Sequence, residues 1–212
     1  IWGLDISFVF CKALNIHPDF TEAHNNLGIA FYELGRHHDA IASYKKALAI
    51  RPDFFEALNN LANVLHESNR SQEALAIFNK ALAIHPENAL LHNNIGITLN
   101  SMGRYEEAAS SYSRALAKDG NYAEACNNLG ITLHQLGKQD ETIERFLKAI
   151  SINPDFAEAY NNLGGIYESV GKLKEAENCY RKTIDIKPDF VVAHKHLANL
   201  ITFSSYDKNI RA

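Results

Sequence analysis

The sequence predicts an all-α fold, a solenoid in which antiparallel pairs of helices follow one another along the chain. Three observations support this prediction. An asparagine doublet recurs every 34 residues, at Asn25, Asn59, Asn93, Asn127 and Asn161. Each repeat contains two stretches in which apolar residues recur at helical spacing, such as Leu58, Leu61 and Leu65 followed by Leu75, Phe78 and Leu82. A glycine or an asparagine separates the two stretches.

Counting from Thr21 gives five full repeats, with a partial repeat at each end. Residues 1–20 are predicted to form the second helix of a partial repeat. The full repeats occupy residues 21–54, 55–88, 89–122, 123–156 and 157–190. Residues 191–212 are predicted to be the first helix of another partial repeat and a tail, with a turn at residues 204–212.

The ends of the helices carry expected capping residues. Aspartates that precede the first helix are expected to cap it, and glutamates three positions later to complete a capping box. These residues are Asp19, Asp53 and Asp155, and Glu22, Glu56 and Glu158. A residue in the left-handed conformation is expected to end each first helix. The residues at this position are Gly35, Asn69, Gly103, Gly137 and Gly171. The basic residue that follows each of them is expected to lie near the carbonyl end of the helix.

Within each pair, a small residue of the first helix is expected to face a large ring of the second. The small residues are Gly28, Ala62, Gly96, Gly130 and Gly164, and the rings are Tyr44, Phe78, Tyr112, Phe146 and Tyr180. A larger side chain at the small position would force the helices apart. Thr142 replaces the alanine found in the second helices of other repeats, which predicts a looser pair there.

Composition excludes several classes of function. The chain is 46% hydrophobic and 22% charged with a net charge of -4, as in ordinary globular proteins. A slightly acidic chain is not expected to bind nucleic acid. No apolar run approaches the roughly 20 residues that span a bilayer, so no membrane is expected. Cys11, Cys126 and Cys179 are far apart, which favours reduced thiols and a cytoplasmic location.

No catalytic or metal-binding pattern is found. The ten histidines form no HExxH motif, and no CxxC pair occurs. His24 and His92 are expected to pack in partly buried positions. We therefore expect no cofactor, no metal ion and no catalytic residue in this chain.

The 34-residue pattern of Leu-Gly, Tyr or Phe, Ala and Pro resembles the tetratricopeptide repeat. The early tryptophan usual in that family is replaced here by His24, Leu58, His92, Cys126 and Tyr160. The Asn-Asn-Leu-Gly and Pro-Asp-Phe-Ala-Glu-Ala sequences are similar to the repeat region of O-GlcNAc transferases and related bacterial proteins. The resemblance implies a right-handed superhelix whose first helices line a concave, peptide-binding face.

A helical wheel places a polar ladder opposite the buried stripe of the first helices. The candidate groove residues are Asn26, Asn60, Asn94, Asn128 and Asn162, with Ile29, Asn63, Ile97 and Ile131 beside them. Their amides can pair with a peptide backbone of any sequence. The first asparagine of each doublet is expected to bond the neighbouring helix. The second could do the same, or could be repeated through gene duplication alone.

The expected ligand is a neutral or basic segment rather than an acidic one. Six glutamates lie on the groove side: Glu22, Glu33, Glu56, Glu67, Glu124 and Glu158. The only basic pair there is Lys195-His196, which replaces the last asparagine doublet. The capping role alone could account for four of these glutamates.

Three functions remain open. The first is a noncatalytic protein-protein interaction module. The second is the substrate-recruiting arm of a larger transferase, with glycosyl transfer favoured over sulfuryl or methyl transfer. The third is a purely structural assembly role. The apolar stripe of Ile6, Phe10, Ala13 and Ile16, with Trp2, Phe8 and Val9 outside it, also suggests a homodimer through the amino-terminal half repeat.

Overall fold

The computed structural model describes the backbone of residues 10 and 12–210, and side chains as far as residue 202. Residues 12–16 are helical. The helices that follow are α1 (Thr21–Glu33), α2 (His37–Ile50), α3 (Phe55–Glu67), α4 (Ser71–Ile84), α5 (Ala89–Ser101), α6 (Tyr105–Lys118), α7 (Ala123–Gln135), α8 (Gln139–Ile152), α9 (Ala157–Ser169), α10 (Leu173–Ile186) and α11 (Val191–Ile210). No strand occurs among the described residues. The predicted all-α fold is confirmed.

The chain divides into two compact units, one ending at Lys118 and the other beginning at Asp119. The first unit contains α1 to α6 and the second contains α7 to α11. In each unit, every helix packs against the helices next to it in the chain. The predicted turn at residues 204–212 is wrong, because α11 continues as one helix to Ile210.

The turn within each helix pair has the same backbone geometry. Gly35 has a φ of 71°. Its N–H donates to the carbonyl of Tyr32 at 2.9 Å, and the N–H of Arg36 donates to Phe31 at 2.8 Å. These two bonds define a Schellman motif, which satisfies carbonyls that the helix end would leave unpaired. The left-handed conformation recurs at Asn69 (φ 59°), Gly103 (72°), Gly137 (72°) and Gly171 (77°), as predicted.

The basic residue after the first four of these turns binds an acid three residues later, whereas Lys172 after the fifth lies over the Tyr167 ring, 5.7 Å from its centroid. Arg36 lies 2.7 Å from Asp39. The same spacing of three residues recurs in the pairs Arg70–Glu73, Arg104–Glu107 and Lys138–Glu141. Because these pairs are solvent-exposed and screened, they contribute little to stability.

The predicted capping boxes are wrong. The residue before α1 is Phe20, whose side chain makes no capping bond, and Phe54 and Phe156 hold the same place before α3 and α9. Asp19 instead lies within a turn closed by the Phe20 N–H and the His17 carbonyl, 3.2 Å apart. The helix thus begins one residue later than a capping role for the aspartate requires. At α5 the cap is Asn88, whose side chain accepts from the Leu91 N–H at 3.0 Å.

The contact between small residues and rings is present as predicted. A Cβ on Gly28 would lie 2.5 Å from Cε1 of Tyr44. Equivalent atoms would come within 2.6 to 2.7 Å of the facing ring at Gly96, Gly130 and Gly164. These glycines therefore allow the helices of a pair to approach. Thr142 is fully buried, and its hydroxyl donates to the carbonyl of Lys138 at 2.8 Å. The hydroxyl is thus satisfied within its own helix.

Candidate functional site

The candidate site is the side of each unit on which the first helices of the pairs expose residues. We call this surface the first-helix face. It is formed by α1, α3 and α5 in the first unit, and by α7, α9 and α11 in the second. Asn26 is exposed there, and the other second asparagines are half-buried: Asn60, Asn94, Asn128 and Asn162. By contrast, the first asparagines Asn25, Asn93 and Asn127 are buried.

In the first unit, amide side chains connect one first helix to the next. Nδ2 of Asn60 donates to Oδ1 of Asn25 at 3.2 Å. Nδ2 of Asn94 donates to Oδ1 of Asn59 at 3.1 Å and lies 3.5 Å from Oδ1 of Asn63. The second asparagines Asn60 and Asn94 therefore each bind the first asparagine of the preceding repeat. The predicted bond of the first asparagine to the neighbouring helix is present here, and so is the structural role that the sequence left open for the second.

The second unit has the same connection at its start and a different one at its end. Nδ2 of Asn162 donates to Oδ1 of Asn127 at 3.0 Å. The next second-asparagine position is occupied by His196, whose Nδ1 donates to Glu168 at 3.1 Å. The His196 ring also stacks on Tyr180, with 5.1 Å between ring centroids. This cluster was not predicted from the sequence, although histidine in place of the last asparagine is a signal that could have indicated it.

The three isoleucines predicted for this face differ in exposure. Ile97 is exposed, whereas Ile29 and Ile131 are half-buried. Ile131 packs against a core cluster that contains Phe146 and Leu163. Ile131 therefore presents only part of its side chain to a ligand.

Three of the six glutamates predicted on the groove side form ion pairs or hydrogen bonds with other side chains. Glu22 binds Arg51 at 2.9 Å, and Glu158 lies 3.5 Å from Lys187. The carboxylate of Glu67 accepts from the Tyr32 hydroxyl at 2.7 Å. This hydrogen bond raises the pKa of Tyr32 because it stabilises the protonated phenol. Three acids of the set are exposed, with no ion pair among the described residues: Glu33, Glu56 and Glu124.

Histidines at the family's tryptophan position have a packing role. Nε2 of His24 donates to the carbonyl of Pro18 at 2.8 Å, and His92 makes the equivalent bond to Pro86 at 3.3 Å. Burial lowers the pKa of His92. These histidines fasten the start of a first helix to the turn before it.

The thiols are poorly suited to nucleophilic chemistry. Cys126 and Cys179 are buried, and burial raises the pKa of Cys179 to about 11. Their thiolate fraction at neutral pH is therefore small. Within the described residues, no three His, Cys, Asp or Glu side chains converge as a metal site would require. No described helix is both long and apolar enough to cross a membrane.

The amino-terminal stripe is only partly visible. Trp2, Ile6, Phe8 and Val9 lie outside the described residues. Ile16 is 73% exposed and Ala13 is half-buried.

Two neighbouring asparagines separate a structural from a surface role. We expect Asn25→Ala to lower the free energy of unfolding by about 1–2 kcal/mol, because it removes a buried amide that accepts from Asn60. We expect Asn26→Ala to change it by less than about 0.5 kcal/mol, because this side chain is exposed. Urea denaturation of both variants measures the difference. Equal losses would contradict the assignment of the two positions.

Comparison with known proteins agrees with the helix pairs described above. Sequence profiles of the tetratricopeptide repeat match residues 13–53 and 25–89, 77–109 and 157–190, and a TPR repeat profile matches 98–137 and 132–171. None of the curated proteins matches the chain significantly.

Solved structures with the same fold include those of MamA, YrrB and TTC0263. MamA is 27% identical with a TM-score of 0.67, over 76% of this chain and 95% of MamA. YrrB, described as a TPR protein with an unusual peptide-binding site, is 27% identical with a TM-score of 0.64, over 88% of this chain and 96% of YrrB. TTC0263, a thermophilic TPR protein of Thermus thermophilus, is 23% identical with a TM-score of 0.69, over 86% of this chain and 99% of that protein. Together with the profile matches from residue 13 to residue 190, these likenesses show that the chain belongs to the tetratricopeptide repeat family.

Proposed function

We propose that the chain is a protein-interaction module that holds an extended peptide segment on its first-helix face. Membership of the tetratricopeptide repeat family supports the general role, since proteins of this family are typically interaction modules. YrrB, a relative over most of its length, has a peptide-binding site. The second asparagines Asn26, Asn60, Asn94, Asn128 and Asn162, which we call the amide ladder, support the assignment to this particular face.

The observation that carries the proposal is the partial exposure of the second asparagines. A primary amide has two N–H donors and one carbonyl acceptor. Asn60 and Asn162 each use one N–H to donate to the preceding repeat. The second N–H and the carbonyl oxygen of each amide can bind a ligand. The bond to the preceding repeat also fixes the orientation of the side chain. A fixed amide loses less conformational entropy when it binds a ligand.

The expected affinity is modest. A hydrogen bond between an amide and a ligand contributes about 0.5–1.5 kcal/mol net. A few such bonds, less the cost of ordering the peptide, correspond to roughly micromolar dissociation constants for a short segment. Tighter binding requires a longer segment or several linked segments.

The charges of this face favour a neutral or basic ligand. Glu33, Glu56 and Glu124 are exposed on it. The bases Arg51 and Lys187 are each paired with a glutamate. An acidic segment would therefore meet more like charge than opposite charge. We propose a protein or peptide partner, with no nucleic acid.

The test uses peptides selected from a random library on the full chain. We expect Asn94→Ala/Asn128→Ala to weaken the selected peptides by about tenfold, because two backbone-binding amides are lost. The matched control is Asn79→Ala/Asn178→Ala, in which exposed asparagines of the second helices α4 and α10 are replaced. We expect this control to bind as the parent chain does. Unchanged affinity in a folded Asn94/Asn128 variant, measured by fluorescence anisotropy, would contradict the proposal.

Other roles inferred from the sequence remain predictions. The transferase arm rests on the Asn-Asn-Leu-Gly and Pro-Asp-Phe-Ala-Glu-Ala sequences, and reading the complete coding sequence tests it. The homodimer rests on apolar residues of the amino-terminal half repeat, and among those that the structure describes Ile16 is 73% exposed. Sedimentation of the full chain over a range of concentrations tests the homodimer. The cytoplasmic location also remains a prediction.

A further inference from the structure

A cavity of about 300 Å³ opens on the first-helix face of the second unit. Its apolar lining residues include Ile131, Phe146 and Ile166, and Tyr180 also lines it. Asn161 is among its polar lining residues. All of these residues belong to the second unit.

The first cause of the cavity is a missing side chain. Gly165 stands where the other full repeats have Ile29, Asn63, Ile97 and Ile131. A Cβ added to Gly165 would meet only the Tyr180 hydroxyl, at 3.9 Å. The space that a larger residue would occupy is therefore open. This glycine is not required by the backbone, since its φ is not in the left-handed region.

The second cause is the end of the amide ladder. Oδ1 of Asn25, Asn59 and Asn127 each accepts from the second asparagine of the following repeat. Asn161 would accept from position 196, where His196 turns to Glu168 instead. Oδ1 of Asn161 is buried and has no hydrogen-bond partner among the described residues. An acceptor in this state is costly unless a donor reaches it.

We propose that this cavity is a specificity pocket that takes one tyrosine or tryptophan side chain of the segment bound on the first-helix face. The proposal rests on the proposed function and names the chemistry of its ligand. An aromatic ring fits the apolar walls and gains by leaving water. Its hydroxyl or indole N–H supplies the donor that Oδ1 of Asn161 lacks.

Other side chains fit this pocket less well. Phenylalanine or leucine would fill the space but leave the acceptor of Asn161 unpaired. Lysine would bring a donor, but its charge would be desolvated against apolar walls. The nearby carboxylate of Glu168 already accepts from Tyr180 at 2.7 Å and from His196 at 3.1 Å. Because Glu168 already accepts these two bonds, its charge is not fully available to compensate the charge of a lysine.

The test uses three capped tripeptides, acetyl-Gly-X-Gly-amide with X as Tyr, Phe or Leu, titrated into the full chain. The readout is the chemical shift of the Gly165 backbone amide. We expect the Tyr probe to bind about fivefold more tightly than the Phe probe, the ratio that one added hydrogen bond provides. Equal affinities of the two probes would overturn the proposal.

Two variants assign the binding to the pocket. Gly165→Ile restores the residue of three other repeats, and we expect it to weaken the Tyr probe at least about tenfold. For this variant the readout moves to the Asn162 backbone amide. The control is Asn79→Ala, an exchange at an exposed residue of the second helix α4 in the first unit, which should leave the affinity unchanged. His196→Asn should restore the amide donor to Asn161 and thereby remove the preference for Tyr over Phe. The proposal would be overturned if Gly165→Ile left the affinity of the Tyr probe unchanged and His196→Asn left the preference for Tyr over Phe unchanged.

The outcomes also separate this pocket from the wider function. If the affinity of selected peptides depends on Asn94 and Asn128 but the pocket variants leave tripeptide binding unchanged, the proposed function is supported and the pocket is wrong. If the pocket variants change tripeptide binding as expected, but no peptide longer than a tripeptide binds, the pocket exists and the proposed function is wrong.

Discussion

Replacing Gly164 with alanine is expected to lower the free energy of unfolding by about 2–3 kcal/mol, through overpacking. The added Cβ would lie 2.7 Å from Cε1 of Tyr180 and 3.2 Å from Cβ of Cys179. Tyr180 cannot move aside easily, because its ring is fully buried and its hydroxyl binds Glu168. The measurement is the midpoint and slope of urea denaturation.

The matched control is the next residue in the same helix. Gly165→Ala should raise the free energy of unfolding by up to about 1 kcal/mol, because alanine forms helices better than glycine. The new methyl group would make only an ordinary contact with the Tyr180 hydroxyl. Two adjacent glycines in α9 should therefore respond with opposite signs. A similar loss in both variants would contradict the packing that we describe.

Replacing Gly137 with valine should lower the free energy of unfolding by about 2 kcal/mol for a different reason. No heavy atom lies within 4 Å of a Cβ built at this position, so the loss is not steric crowding by a neighbour. The backbone has a φ of 72°, which non-glycine residues adopt only at a cost of about 1–2 kcal/mol and β-branched residues avoid most strongly. Urea denaturation measures the loss.

Asn69→Gly is the control for this backbone effect. Asn69 occupies the equivalent position with a φ of 59°. Because asparagine and glycine both tolerate this conformation, we expect a change of less than about 0.5 kcal/mol. If Gly137→Val were as stable as the parent chain, the Schellman motif would not be what ends the first helix.

The sequence predicted the features that depend on local chemistry repeated at a fixed period. The left-handed turns are an example, since a glycine or asparagine between two helical stretches is typical of a helix that ends in this conformation. Asn69 strengthened that prediction, because asparagine is the next best residue there. The facing of Gly164 by Tyr180 was also predictable, because a small and a large residue recur together in every repeat.

The capping boxes show where local patterns mislead. Asp19 and Glu22 have the spacing of a capping box, yet the helix starts one residue later and Glu22 binds Arg51 instead. Arg51 lies at the far end of the same repeat, so its contact with Glu22 depends on how the two helices pack. A pattern within a few residues does not contain that information.

The amide ladder shows a second limit. A helical wheel placed Asn60 on the exposed side of its helix, and the structure finds it half-buried and bonded to Asn25. The bond joins residues 35 positions apart and depends on the distance between successive first helices. The wheel treats each helix alone and therefore does not detect it. The unpaired acceptor of Asn161 was missed for the same reason.

The central claim is that the second asparagines of the first helices contact the bound segment. The most direct test is the NMR spectrum of asparagine side-chain amides in the full chain, recorded with and without a library-selected peptide. We predict that the largest shift changes occur at Asn26, Asn60, Asn94, Asn128 and Asn162, while Asn79 and Asn178 on the second helices do not change. Changes confined to Asn79 and Asn178 would place the peptide on the opposite side of the helix pairs and contradict the account.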